Sequence, residues 1–170
     1  MRFSLLFAIS ASTAVLVSTP ASAQDFAAQP VYGAHSFNGQ SRNDPYRIEI
    51  AVQGDVELYD SLIDNHGYSE DAEELDYCDG VITSAPTAVL TYTASEAPLI
   101  ISAGSEEDYV LFVISPDGAV HCSDDDGEGD LNPAITFDAP VTGRYLIWVG
   151  TYFEEEPIAG VLQFSASESL

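Results

Sequence analysis

RYLIWVGTYF, residues 144–153, is the longest β-like stretch in the sequence. Successive side chains of a strand point to opposite faces of a sheet, so this stretch presents two rows of side chains. One row holds Tyr145, Ile147 and Val149, and the other holds Leu146 and Trp148. Because both rows are apolar, the stretch predicts a central strand that is covered on both sides. We interpret Trp148 as a core residue; the alternative is a ligand-stacking platform on a binding face.

Several further short β-like runs accompany this stretch, with turn residues between nearly all of them. The runs are RIEIAV (47–52), TAVLTY (87–92), PLIISA (98–103), YVLFVI (109–114), AITF (134–137) and GVLQFS (160–165). Pro-Asp-Gly at 116–118 and Asn-Pro at 132–133 are typical turn sequences. Short strands at regular spacing, without a long helical period, predict an all-β sandwich or barrel.

Two segments lie outside this β pattern. SEDAEELDY (69–77) is the one candidate helix, because acidic residues surround Ala72 and Leu75; the alternative is a solvated loop. Residues 24–45 are polar, contain Gly and Pro and show no period, so we predict a linker there. The predicted folded domain accordingly occupies residues 46–170, without a repeat or a second domain.

Residues 1–23 have the three-part pattern of a secretory signal peptide. Arg2 supplies the positive charge, residues 5–17 are apolar, and the small residues that end at Ala23 offer a cleavage site before Gln24. A membrane anchor is the alternative, but the apolar run is shorter than the roughly 20 residues that span a bilayer. We therefore predict cleavage after Ala23 and a periplasmic or secreted protein.

The charge of the chain is strongly negative. The 28 Asp and Glu residues oppose only 4 arginines, which gives a formal net charge of −24. Nucleic-acid binding rests on Lys and Arg that neutralise phosphates, so we expect no nucleic-acid partner. We also expect no membrane insertion, because no stretch after the signal peptide is apolar enough. Most of the carboxylates are expected to form a hydrated surface.

Cys78 and Cys122 are the two cysteines of the chain. An exported chain enters an oxidising compartment, where such a pair closes into a disulfide. The alternative is two separate buried thiols. The bridge would close a loop of about 45 residues, which corresponds to about 4 kcal/mol of stabilisation in the chain-entropy model. Since each cysteine lies at the edge of a predicted strand, the bridge would pin the acidic turn after Cys122 to the sheet.

HCSDDDGEGDLNP, residues 121–133, is a candidate calcium loop. Calcium takes six to eight oxygen ligands, and adjacent aspartates repel one another unless a cation neutralises them. The predicted ligands are Asp124, Asp125 and Asp126, together with Asp108 or Asp117 from a neighbouring loop. The stretch is not an EF-hand, because its twelfth position is not a bidentate glutamate. The alternative is a solvated turn whose aspartates bond local backbone amides.

Sequence motifs for catalysis are absent. The histidines are His35 in the predicted linker, His66 in a predicted loop and His121 beside Cys122, and none lies in a His-Glu-x-x-His motif. There is no Gly-x-Ser-x-Gly elbow and no Cys-x-x-Cys pair. A Ser-His-Asp arrangement converges only in the fold and stays open at this point. We predict that the protein is not an enzyme.

The C-terminal ninety residues resemble a bacterial pre-peptidase C-terminal (PPC-type) domain. The matching landmarks are Val113–Gly118, the acidic turn after Cys122, Leu131–Pro133, Phe137–Pro140 and Gly143–Gly150. Upstream, Cys78–Ile82 and Leu90–Ala94 are similar to small exported proteins that carry such a domain alone. The resemblance implies a single jelly-roll-like antiparallel β-sandwich of about eight strands, found elsewhere after secreted proteases.

These observations favour a non-catalytic β-sandwich module for binding or stabilisation of a partner outside the cytoplasm. Calcium is its candidate cofactor, and its ligand is expected to be a protein or a polymer outside the cytoplasm. We expect a monomer. The alternative is an accessory to a secreted hydrolase or peptidase, or a cryptic hydrolase itself.

Overall fold

The computed structural model describes residues 24–75, 77–125, 132–152 and 156–170. These residues form two facing β-sheets, one α-helix and one short 3-10 helix. The strands are β1 (Ala34–Asn38), β2 (Tyr46–Val52), β3 (Val56–Glu57), β4 (Val81–Ile82), β5 (Ala88–Thr93), β6 (Leu99–Ser105), β7 (Tyr109–Ile114), β8 (Val120–Ser123), β9 (Ala134–Phe137), β10 (Gly143–Thr151) and β11 (Ile158–Ser165). Helix α1 spans Leu58–His66, and the 3-10 helix spans Glu73–Leu75.

The smaller sheet has the strand order β2-β11-β6-β9 and is antiparallel throughout. The larger sheet contains the other seven strands, with β10 at its centre. Strand β10 pairs with β5 along one edge and with β7 along the other, and β8 extends the sheet beyond β7. Strand β1 adds to β5 and makes the one parallel pair among the described strands.

The pairing is nested along the chain. Once β1, β3 and β4 are set aside, the first strand pairs with the last (β2 with β11) and the second with the seventh (β5 with β10). The third likewise pairs with the sixth (β6 with β9) and the fourth with the fifth (β7 with β8). A long ribbon of paired strands rolled into two sheets has this pattern, which is the jelly roll. The predicted all-β, jelly-roll-like sandwich of about eight strands is therefore confirmed, with three additional strands.

Strand β10 is buried on both faces, as its two apolar rows predict. Tyr145, Ile147 and Val149 belong to the core between the two sheets. Trp148 points to the opposite side, where its ring packs against Phe112 with 5.1 Å between centroids. Because the side chain of Trp148 is fully buried, the prediction of a core tryptophan is confirmed.

A second cluster of buried side chains covers the outer face of the larger sheet. Helix α1 supplies Leu58 and Leu62, and the 3-10 helix supplies Leu75. The helix ends at His66, and Gly67 follows in a left-handed conformation (φ 77°) that favours glycine. In the described part of the chain, no helix is long and apolar enough to cross a membrane.

The helix prediction needs correction. The described residues of the candidate segment 69–77 contain only the three-residue 3-10 helix, and the α-helix lies upstream at Leu58–His66. That upstream segment includes Asp60, Asp64 and Asn65, which have low intrinsic helix propensity. Packing of its apolar side against the sheet supplies the stability that propensity does not.

The predicted linker at residues 24–45 also needs correction. Strand β1 lies within it and pairs residue by residue with β5, and Phe37 is buried in the core between the sheets. Upstream of β1, the Tyr32 N–H donates to the Thr87 carbonyl at 2.8 Å. The folded domain therefore begins before residue 46. An edge strand with one buried side chain needs no apolar period, which is why the sequence pattern does not show it.

We predict that Leu62→Ala lowers the free energy of unfolding by about 2–5 kcal/mol, because it leaves a cavity under α1. Leu62 is fully buried in the second cluster. Val31→Ala is the control, since Val31 is 57% exposed, and it should change the free energy by less than about 0.5 kcal/mol. Urea denaturation followed by the fluorescence of Trp148, the single tryptophan, measures both variants. Equal stability of the two variants would contradict the packing of α1.

Candidate functional site

Cys78 and Cys122 are joined by a disulfide, as predicted. Their Cα atoms lie 5.1 Å apart across 44 positions of sequence. Cys122 lies in β8, which among the described strands pairs with β7 alone, and Cys78 lies just after the 3-10 helix and is fully buried. The bridge therefore holds the segment between α1 and β4 against the edge of the larger sheet. Such a disulfide is typical of proteins outside the cytoplasm, in agreement with export.

A pocket opens next to this disulfide, between α1 and the segment that follows it. It has a volume of about 320 Å³ and is lined by Tyr59, Glu70, Ala72, Leu75 and Asp79; we call it the α1 pocket. Tyr59 Oη donates a hydrogen bond to the Glu70 carbonyl oxygen at 3.1 Å, which fixes the tyrosine in the wall. Ala72 and Leu75 are the apolar part of the lining, whereas Glu70 and Asp79 are exposed.

The electrostatic field next to the α1 pocket is negative. Asp79 Oδ2 accepts a hydrogen bond from Tyr152 Oη at 3.2 Å, and its Oδ1 accepts one from the Gly80 N–H at 2.9 Å. The charge of Asp79 raises the pKa of Tyr152, and desolvation and the hydrogen bond between Tyr152 Oη and Asp79 raise it further. The charges of Asp124 and Asp108 raise it further. We call the surface formed by Asp79, Asp108, Asp124 and Tyr152 the acidic face.

Three predicted calcium ligands, Asp108, Asp124 and Asp125, lie close to one another at this surface. Asp108 precedes β7 and the other two follow β8, and the antiparallel pairing of these strands brings the ends together. Desolvation raises the pKa of Asp108, and the charges of Asp125 and Asp124 raise it further. Asp126 lies outside the described residues. Within the described ranges, no group of three His, Cys, Asp or Glu side chains is arranged to hold a metal ion, so calcium binding stays a prediction.

Asp117, the other candidate for the fourth ligand, is too far along the hairpin. It lies in the turn between β7 and β8, whereas Asp124 follows the opposite end of β8. Asp124 Oδ1 accepts a hydrogen bond from the Asp125 N–H at 3.0 Å, and Ser123 Oγ donates to the Asp125 carbonyl oxygen at 2.9 Å. These local bonds are typical of a solvated turn, the alternative to a calcium site.

Ser115, Asp117 and His121 meet at the turn between β7 and β8. Ser115 Oγ donates to Asp117 Oδ1 at 2.6 Å and lies 3.1 Å from His121 Nε2. In a catalytic triad the histidine takes the serine proton and the aspartate bonds the other imidazole nitrogen. Here the Ser115 hydroxyl contacts the carboxylate directly, and its Oγ also lies 3.1 Å from the Ala119 carbonyl oxygen. The three side chains are therefore connected in a different order from a catalytic triad, and their bonds tie the residues of the turn together.

A small cavity of about 110 Å³ lies beside this cluster, with Phe137 and Tyr145 in its lining. Ligand pockets usually measure about 300–1,000 Å³, so it is small for a substrate. Burial lowers the pKa of His121, and the charge of Asp117 opposes that shift. The Ser-His-Asp arrangement that the sequence leaves open thus exists as three neighbours, but with the aspartate bonded to the serine.

The other two histidines are packing residues. His35 lies in β1 and not in a linker, and its Nδ1 is 3.0 Å from Tyr46 Oη. His66 is the last residue of α1 and not a loop residue, and its ring stacks on Phe26 with 4.3 Å between centroids. Burial lowers the pKa of His66. Neither ring lies at the α1 pocket or in the Ser115 cluster.

No family model matches the sequence, and no curated protein matches it. A solved structure that the chain resembles is PliG of Aeromonas hydrophila, a periplasmic lysozyme inhibitor of g-type lysozyme. The two chains are 14% identical, the match covers 78% of this chain and 96% of that chain, and the TM-score is 0.39. A likeness at this level assigns no function. The resemblance of the C-terminal ninety residues to PPC-type domains stays a prediction.

We predict that the double variant Cys78→Ala/Cys122→Ala loses about 2–5 kcal/mol of unfolding free energy, because the unfolded chain regains the freedom of a long loop. Urea denaturation measures the loss, and wild type with dithiothreitol should reproduce it. Alkylation of the freshly isolated protein without reductant should label neither cysteine. Labelling of both would contradict the bridge.

We predict that Asp108→Asn stabilises the protein at neutral pH. The raised pKa means that the folded state binds this proton more tightly than the unfolded chain, so stability is lost as pH rises through the carboxylate range. The variant removes that loss, and its gain should vanish below about pH 3.9, where the carboxyl is protonated in both states. Thermal unfolding across pH measures the effect, with the exposed Glu106→Gln as control.

Calcium reverses the sign of this Asp108 effect if it binds. Millimolar calcium should then raise the melting temperature of the wild type by mass action, and Asp108→Asn and Asp124→Ala should erase the rise. If magnesium at equal ionic strength does as well as calcium, the loop is a plain acidic turn.

Proposed function

We propose that the protein is a non-catalytic module that acts outside the cytoplasm and binds a cationic partner, either a basic protein or a basic polymer. The α1 pocket carries this proposal, because it combines an aromatic wall, an apolar lining and two carboxylates. A lysine or arginine side chain packs its carbon stem on apolar surface and keeps its charged end near carboxylates and water. A tyrosine ring adds cation–π attraction.

Each part of such a side chain has a matching group in the α1 pocket. The carbon stem lies against Ala72 and Leu75, beside the ring of Tyr59. The charged group then reaches the carboxylates of Glu70 and Asp79 at the exposed rim. The volume of about 320 Å³ is at the low end for ligand pockets, which suits one inserted side chain rather than a whole small-molecule ligand.

The surroundings of the pocket extend the same preference. The acidic face adds the charges of Asp108 and Asp124, and Tyr77, which is 63% exposed, lies beside the disulfide. Arg144 lies at the start of β10, so the length of that strand separates its positive charge from Tyr152 and the acidic face. A surface with one sign of charge speeds the association of an oppositely charged partner, and the effect falls with added salt.

The alternative, a cryptic hydrolase or an accessory to one, draws on the Ser115 cluster. Its serine is only 6% exposed, and its Oγ lies within hydrogen-bond distance of Asp117 and of the Ala119 carbonyl oxygen, so a substrate has little access to it. A screen of the purified protein with peptide, ester and glycoside substrates tests this alternative. Turnover that Ser115→Ala abolishes would support it over a binding module.

We predict that the protein binds an oligoarginine peptide and does not bind an oligoglutamate peptide of equal length. Glu70→Gln/Asp79→Asn should weaken oligoarginine binding about tenfold, which corresponds to about 1.4 kcal/mol. Glu49→Gln/Asp138→Asn removes the same charge from exposed sites outside the pocket lining, and should weaken binding by less than about threefold. Fluorescence anisotropy at two salt concentrations measures both. Equal losses in the two double variants would show diffuse attraction without a pocket.

A further inference from the structure

Gln24, the residue that follows the predicted cleavage site, is buried against α1 in the uncleaved chain. It is 5% exposed, and its side-chain Oε1 accepts a hydrogen bond from Ser61 Oγ of α1. Burial lowers the pKa of His66, and hydrogen bonding with the Gln24 backbone opposes that shift. The next two residues are also held: the Asp25 N–H donates to a backbone carbonyl at 2.7 Å, and the Phe26 ring packs edge-on against the Trp148 ring with 5.5 Å between centroids.

This position is unfavourable for an ordinary N-terminal glutamine. Removal of residues 1–23 would give Gln24 an α-amino group, whose usual pKa of about 7.7–8.0 leaves it largely charged at neutral pH. A charge at a buried residue carries a desolvation cost unless it is paired. The side-chain Nε2 adds a second cost, because this buried donor has no hydrogen-bond partner among the described residues.

We infer that Gln24 becomes a pyroglutamate after the signal peptide is removed. The α-nitrogen attacks the side-chain Cδ, so that an N–Cδ bond forms and the Cδ–Nε2 bond breaks. A proton moves from the amine to the departing nitrogen, which leaves as ammonia, and no other reactant is required. The product is a neutral lactam.

Cyclisation removes both costs at this one residue. The chargeable α-amine becomes an amide, and the unpartnered Nε2 leaves the protein. The lactam keeps the Oε1 carbonyl, so the acceptor for Ser61 Oγ is still present. The inference rests on cleavage after Ala23 and not on cationic binding, so the peptide-binding experiment can fail without affecting it.

The direct test is the intact mass of the exported protein, produced from the full sequence with its own leader. We expect the mass of residues 24–170 with one disulfide, less one ammonia. N-terminal sequencing should be blocked until the protein is unfolded and treated with pyroglutamyl aminopeptidase. A free Gln24 amine as the main species, or a first residue other than 24, would overturn the inference.

Melting temperatures of variants test whether a neutral residue 24 stabilises the protein. Gln24→Ala cannot cyclise and should lower the melting temperature by about 4 °C, whereas Gln29→Ala, at an exposed glutamine of the same segment, should not. Ser61→Ala removes the hydrogen bond but leaves cyclisation intact, so it should keep the ammonia-depleted mass and cost less than Gln24→Ala. If Gln24→Ala has the same melting temperature as the wild type, the stability of the protein does not depend on a neutral N-terminal residue.

Discussion

The two apolar faces of β10 cannot both pack against one neighbouring layer. One face fills the core between the sheets, and the other presents Trp148 to the outside of the larger sheet. A sandwich sheet usually leaves its outer face to water, where alternate residues are polar. Here the outer face also carries Phe112 and Val110 of β7, so it requires a third layer of protein. Helix α1, the 3-10 helix and the N-terminal segment form that layer.

The third layer is made of separate pieces, and each piece is held by a different kind of contact. Leu62 anchors α1 by burial, and the disulfide of Cys78 fixes the 3-10 helix segment to β8. Phe26 joins the N-terminal segment to both Trp148 and His66. Because these pieces lie side by side over the sheet, the α1 pocket and the buried position of Gln24 both lie in this layer and not in the sandwich core.

The sandwich could be predicted from the sequence, whereas the third layer could not. Strands such as β7 and β10 are continuous apolar runs, and burial of both faces requires that composition. Helix α1 is short, and its fully buried apolar residues are Leu58 and Leu62, which is only one helical repeat. Strand β1 buries Phe37 and little else. Elements that depend on tertiary contact for their stability leave a weak local pattern.

The site residues divide along the same line. Asp108 lies close to Asp124 because β7 and β8 pair. The strand pattern of the sequence was enough to predict that the loop before β7 adjoins the acidic turn after β8. Asp117 is nearer to Asp124 in sequence but lies at the other end of the β7–β8 hairpin. Closeness in sequence was therefore a poor guide to which aspartate could share a cation with Asp124. The α1 pocket joins Tyr59 to Asp79 through elements that the sequence did not indicate. Acidic composition therefore predicts that a cation is attracted, and only the third layer determines where. Since Cys78 both closes that layer and precedes Asp79, reduction of the disulfide should disturb cation binding and stability together.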